Sequence, residues 1–230
     1  MRIAEIYRSR QGEGFLTGTE SVFVRASGCN LRCSFCDTPF TSWSPEGEDL
    51  SVAEILEQVT RCGPCEHVVL TGGEPMLFAE MLPLTAALRI LGKHITIETA
   101  GTLFLPVACD LMSISPKLAN STPSPEVAAA TWSRRHEQAR HVPDVIRRLV
   151  REFAYQIKFV VDAADDLADV DRYLAAFPEI DRSRVLLMPQ GTTLAELGER
   201  AAWLEPYCRS HHFTYCPRKH IEWYGHTRGT

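Results

Sequence analysis

An α/β fold, with a parallel sheet and covering helices forming a partial, open TIM-like barrel, is predicted by three observations. Short apolar strands alternate with helical stretches through most of the 230 residues, a pattern that argues a parallel sheet. About six βα units can be marked off, fewer than a closed eight-fold barrel requires. The glycine-rich, cysteine-rich and charged segments follow the C-terminal ends of the strands, where folds of this kind build their sites.

Residues 3–7 alternate weakly and lead into Gln11-Gly12-Glu13-Gly14, a turn-rich loop whose glycines let the backbone approach a ligand. Residues 21–26 read as a strand that delivers Cys29-Asn30-Leu31-Arg32-Cys33-Ser34-Phe35-Cys36. Ser51 and Glu54 form a capping box opening a helix with Val52, Ile55, Leu56 and Val59 on one face. Cys62-Gly63-Pro64-Cys65 closes that helix and precedes a strand at 67–70. A dithiol redox centre of thioredoxin type opens a helix instead, so a structural turn is expected.

The strand runs into Thr71-Gly72-Gly73-Glu74-Pro75, with Pro75 able to set the first turn of a helix expected over 77–91. Strands at 94–98 and 110–114 end in Thr99-Ala100-Gly101 and Ser115-Pro116-Lys117. Residues 120–125 read as a loop and 126–153 as a helical elaboration, its stripe made by Val142, Val145, Ile146, Leu149, Val150 and Phe153. Arg147, Arg148 and Arg151 fall off that stripe and are expected to be solvated. A strand at 156–161, an acidic helix start at Asp165-Asp166, a strand at 184–187 ending in Met188-Pro189-Gln190, a helix over 194–208 and a short strand at 212–216 complete the series. The rest is a tail, and 209–230 is expected to close the site. Asp162 and Arg218-Lys219-His220 also follow strands and are expected on the same rim.

The length suits one sizeable core, so 1–230 is expected to be a single domain. A net charge of −5 argues against a nucleic-acid surface and points to a small substrate. No apolar run reaches the ~20 residues of a membrane span, and the first residues carry no signal-peptide core. Eight cysteines without export features imply a reducing compartment, and the cytoplasm is expected.

Cys29, Cys33 and Cys36 lie too close for a disulfide framework, which would also leave one thiol over, so they read as metal ligands. A closed zinc site, as in a zinc-stabilised binding module, wants a fourth ligand, and the nearest spare donor, His67, lies beyond a helix. A cubane iron-sulfur cluster takes one Cys per iron, so three Cys leave one iron open. The count favours the cluster.

Cys29-x3-Cys33-x2-Cys36, with Phe35 before the last Cys, resembles the signature of radical S-adenosylmethionine (SAM) enzymes. The resemblance implies a 4Fe–4S cluster whose open iron is chelated by SAM, and a 5'-deoxyadenosyl radical that abstracts hydrogen. Gln11-Gly12-Glu13-Gly14, Arg25, Asp37-Thr38, Thr71-Gly72-Gly73-Glu74-Pro75 and Ser115-Pro116-Lys117 resemble one branch, the 7-carboxy-7-deazaguanine synthases of queuosine-precursor biosynthesis. That resemblance implies ring contraction of 6-carboxy-5,6,7,8-tetrahydropterin with loss of ammonia.

Carried over by motif, it implies Cys29, Cys33 and Cys36 on the cluster and Thr38 on Mg2+. Phe35, Cys36, Asp37, Gly73, Ser115, Pro116, Lys117 and Gln190 would meet SAM, and Arg10, Gln11, Gly12, Arg25 and Thr71 the pterin. No general acid or base is implied; Glu13, Glu74 and Glu98 are candidates for polar contacts. A flavodoxin or ferredoxin as electron donor and a homodimer are also implied. The alternative with the same cysteine loop is a glycyl-radical activase acting on a partner protein.

Overall fold

The computed structural model describes every residue except Pro125 and Val127. The expected end of the 120–125 loop, at Pro125, and residue 127 of the expected elaboration therefore lie outside the described residues. In chain order the elements are β1 (Arg2–Arg10), β2 (Glu20–Ala26), α1 (Pro39–Ser42), β3 (Glu48–Asp49), α2 (Val52–Arg61), β4 (His67–Gly72), α3 (Met81–Ile90), β5 (His94–Thr99), β6 (Leu111–Ile114), α4 (Ala130–Ala139), α5 (Pro143–Glu152), β7 (Tyr155–Val161), α6 (Asp166–Ala176), β8 (Val185–Pro189), α7 (Leu194–His211), β9 (Thr214–Tyr215) and α8 (Lys219–Tyr224).

One sheet holds all nine strands in the order β3-β1-β2-β4-β5-β6-β7-β8-β9. From β2 to β9 every pairing is parallel, and β3 and β9 stand at opposite edges, so the barrel is open. The expected parallel sheet forms, with one antiparallel edge where β1 pairs with both β2 and β3. No helix lies between β1 and β2 to carry the chain back across the sheet, so the connection can only be a hairpin. Its neck is closed by Gln11 N–H donating to Thr19 O at 2.8 Å and Gly18 N–H to Gln11 O at 2.7 Å.

Two helices differ from expectation. α3 begins at Met81 rather than 77, because Pro75–Leu77 forms a tight 3-10 turn in which the Glu74 carboxylate accepts Met76 N–H at 3.0 Å. α8 lies in what reads from sequence as an irregular tail. The capping box of α2 forms as expected, with Ser51 and Glu54 each accepting the other's backbone N–H.

Alternation within the strands sorts their residues to two faces. Val22, Val24, Val68, Leu70, Ile95, Ile97, Met112, Ile114, Ile157, Phe159, Val185 and Leu187 are buried in one apolar core with Ile55, Val59, Leu84, Leu88, Ile146, Leu149, Val170, Leu174 and Leu204 from the covering helices. Each such side chain contributes roughly 2 kcal/mol by leaving water. The opposite face carries Phe23, Arg25, Thr71, Glu98, Ser113, Lys158, Val160 and Met188, and these line a cleft. No described helix is long and apolar enough to cross a membrane.

Candidate active site

The cysteine loop leaves β2 and is held to β4 by direct backbone contact. Gly73 N–H donates to Ala26 O at 3.1 Å and Glu74 N–H to Gly28 O at 2.9 Å. A methyl group on Gly73 would sit 2.2 Å from Gly28 O and 2.8 Å from Cys29 Cβ, so no larger residue fits without spreading the two loops. Leu31 N–H donates to Cys29 Sγ at 3.4 Å, Ser42 Oγ lies 3.2 Å from Cys36 Sγ, and Trp43 Nε1 donates to Cys33 O at 3.1 Å.

Burial pushes the Cys29 thiol up to about 11 and the Cys33 thiol to about 12. Such thiols ionise at neutral pH only against a bound cation, which is the chemistry of a metal cradle. Among the described residues no three His, Cys, Asp or Glu side chains converge on a single ion position. A cubane takes each thiolate on a different iron, so three donors suffice for it where one closed zinc site wants four.

Facing the thiols is a continuous polar network on the inner side of the sheet. Glu98 accepts from Gln11 Nε2 at 3.1 Å and from Thr71 Oγ1 at 2.8 Å, and lies 3.7 Å from Lys158 Nζ. Lys158 donates to Glu13 at 2.8 Å, Glu13 accepts from Arg218 Nε at 3.2 Å, and Arg218 ion-pairs with Asp37. Burial would raise the Glu13 carboxyl, but the Lys158 and Arg218 cations hold it well below the ordinary carboxylate range. Asp37 is likewise raised by burial and pulled below its usual value by Arg218. Lys158 loses charge stability through burial and regains more from Glu13 and Glu98, so it stays protonated.

A cleft of about 510 Å3 contains nearly every residue singled out from sequence: Arg10, Gln11, Gly12, Arg25, Cys29, Cys33, Phe35, Cys36, Asp37, Thr38, Thr71, Gly73, Ser115, Lys117 and Gln190. Pro116 is not in the lining. Arg25 donates through Nε to Glu5 at 2.7 Å and through Nη2 to Tyr7 at 2.8 Å, so the edge that could fork a carboxylate is partly engaged. Arg10 bonds the Tyr224 hydroxyl at 3.1 Å and lies 4.8 Å over the Trp223 ring, on α8. Thr38 precedes α1 without capping it through its side chain and lines the cleft, its hydroxyl accepting from Thr41 Oγ1 at 3.3 Å. Lys117 Nζ is folded onto Ser115, 2.7 Å from its carbonyl and 2.8 Å from its hydroxyl.

Three expectations fall elsewhere. Asp162 pairs with Arg200, Lys219 with Glu222, and neither lines the cleft. Glu74 is fully buried behind it, where the Thr99 hydroxyl and Ala100 N–H donate to its carboxylate; burial raises its pKa. Cys62 ends α2 and Cys65 Sγ donates to Glu20 O, away from the other three cysteines.

Lys158 was the principal residue not expected here. A lone Lys within the apolar run Gln156-Ile157-Lys158-Phe159-Val160-Val161 was the available signal, since lysine is rarely buried without a partner.

The radical SAM superfamily profile matches residues 23–171. A 7-carboxy-7-deazaguanine synthase of Rhodopirellula baltica is 46% identical over 229 residues, 99% of this chain and 88% of that protein. One of Halobacterium salinarum is 42% identical over 95% of this chain and 88% of its own length. The chain belongs to the 7-carboxy-7-deazaguanine synthases, within the radical SAM superfamily.

Among solved structures, QueE from Escherichia coli superposes with a TM-score of 0.70 at 25% identity, over 94% of this chain and 92% of that one. A radical SAM enzyme uses a 4Fe–4S cluster and SAM, and the half-buried thiols of Cys29, Cys33 and Cys36 are a donor set of the right kind and number for the cluster.

Proposed function

We propose that this chain converts 6-carboxy-5,6,7,8-tetrahydropterin to 7-carboxy-7-deazaguanine, contracting the ring with loss of ammonia. The observation that carries the reading is that the Gln11–Glu98–Thr71 network and the three cysteines share one cleft. A carboxylate held as an acceptor suits the adjacent N–H donors of a 2-aminopyrimidinone, and Arg25 suits a pterin carboxylate.

In this reading Cys29, Cys33 and Cys36 hold the cluster. Bound there, the cluster would supply the electron chemistry for cleaving SAM. Phe35, Asp37, Gly73, Ser115, Lys117 and Gln190 orient SAM, with Pro116 fixing the turn between Ser115 and Lys117. Arg10, Gln11, Gly12, Arg25 and Thr71 orient the pterin. The Thr38 hydroxyl would be one oxygen ligand of Mg2+, a cation that would serve to hold the substrate carboxylate.

Residues 209–230 belong to the same domain and close the cleft; His226 Nε2 lies 3.1 Å from Asp37 O, and Arg228 donates to Glu5 at 3.1 Å and Glu46 at 2.9 Å. A flavodoxin or ferredoxin delivers electrons in the cytoplasm, and the exposed Arg134 and Arg135 on α4, which make no salt bridge to another described residue, offer an acidic carrier a positive face. The working unit is a homodimer, as the family resemblance implies.

Reduced, reconstituted enzyme incubated with SAM and 6-carboxytetrahydropterin should yield 7-carboxy-7-deazaguanine by mass. SAM cleavage that needs a protein substrate and leaves the pterin untouched would overturn the assignment in favour of an activase.

A further inference from the structure

The helical segment after β6 reaches back to the cysteine loop through one buried side chain. His136, on α4, is 1% exposed. Arg32 N–H donates to its Nδ1 at 3.1 Å, and its Nε2 lies 3.0 Å from Ser121 Oγ. A ring nitrogen that accepts a backbone N–H carries no proton, so the proton of the neutral ring sits on Nε2 and is donated to Ser121 Oγ. The Ser121 hydroxyl in turn donates to Leu118 O at 2.6 Å. Each hydrogen in this chain of contacts has one defined acceptor.

The unit grips both sides of one cysteine. Ser121 O accepts Ser34 N–H at 2.9 Å, so the amides on either side of Cys33 are tied, one through His136 and one through Ser121. Outside the unit, Trp43 Nε1 holds the Cys33 carbonyl. The guanidinium of Arg32 lies 4.5 Å over the Trp132 ring, one turn before His136 on α4. From the end of α4, Arg140 Nη1 donates to Lys117 O at 3.1 Å, which ties the helix to the Ser115–Lys117 loop as well.

We infer that His136 is a positioning residue that fixes Cys33 relative to the Ser115–Lys117 loop, making α4 a clamp between cluster and SAM subsites. The inference rests on the assignment of Cys33 as a cluster ligand in the reading above. Partners that orient metal ligands from behind help fix their geometry, and their loss weakens metal binding by roughly 10- to 100-fold.

The test compares three variants loaded with the cluster, reading iron loss to a chelator and the EPR line shape of the reduced cluster, with turnover measured separately. His136→Asn keeps an acceptor directed at Arg32 N–H, whereas His136→Gln extends its amide towards Ser121 and His136→Leu offers neither. Iron loss within about twofold of the parent for His136→Asn, and about tenfold faster with a broadened signal for His136→Gln and His136→Leu, is expected.

Equal iron loss in all three, or loss that follows the apo proteins' melting midpoints rather than the retained acceptor, overturns the inference. If His136→Leu does not fold, the Asn and Gln variants decide alone. An iron-tight His136→Gln enzyme that still makes deazaguanine sinks the clamp and leaves the proposed reaction standing. A cluster lost as expected from an enzyme inert towards the pterin does the reverse.

Discussion

Arg218 ion-pairs with Asp37 across 181 residues of sequence, joining the segment before α8 to the residue that follows the last cysteine of the cluster loop. The same guanidinium bonds Glu13 and the Gly191 carbonyl. Removing it leaves Asp37 without its main compensating cation and Glu13 with Lys158 alone. Arg218→Leu should destabilise the apo protein by about 2–3 kcal/mol, less than the loss of a fully buried pair because the Asp37 side chain is 40% exposed and Glu13 keeps Lys158. Chemical unfolding checks this; a change under about 1 kcal/mol would mean that the network is solvated.

Cys29→Ala should abolish 5'-deoxyadenosine formation while the melting midpoint of the apo protein stays near the parent's, since the side chain lines the cleft and lies outside the strand core. Undiminished SAM cleavage in this variant would refute its assignment as a ligand. Anaerobic metal analysis of the parent complements it: iron and sulfide at about four per chain are expected, and stoichiometric zinc without sulfide would be incompatible with the cluster.

Thr38→Ala should weaken the response of turnover to Mg2+ while leaving cluster content unchanged, because the hydroxyl makes no capping bond that folding depends on. A Mg2+ titration of the variant superimposable on the parent's removes Thr38 from the metal's shell.

The pH dependence of stability follows from His136. Burial, and next the Arg140 cation, lower it to about 4 from an ordinary value near 6.5. The unfolded chain therefore binds the proton more readily than the folded one. The stabilisation is whole above about pH 6.5 and is lost progressively as pH falls towards about 4. His67 and His220 are lowered by burial in the same sense, so His136→Asn should flatten the curve in part. Unfolding free energies of the apo proteins measured across that window decide it, and parallel curves for parent and variant would place the titration elsewhere.

The apolar periods and capping signals made the strands, α2 and the order of the loops legible, because each is a local pattern that burial enforces. Strand direction at the β1 edge was not legible, since alternation is the same in both senses and only the missing crossover decides it. α8 escaped because its six residues bury only Ile221 and make no apolar stripe. In the candidate site, the motif residues gathered as expected because every strand ends on one rim. Lys158 and His136 did not stand out because what defines them is a partner distant in sequence: Glu13 for one, the Arg32 amide for the other. Pro116, in the same motif, is absent from the cleft lining although Ser115 and Lys117 on either side of it belong to it.

The cleft's lining inverts the sign of the molecule. Arg10, Arg25, Lys117, Lys158, Arg218 and Arg228 outnumber Glu5, Glu13, Asp37 and Glu98 there, in a chain whose overall charge is −5. Small anions are thus repelled by the bulk of the surface and drawn inward at one mouth, a local well in a negative field that added salt would level.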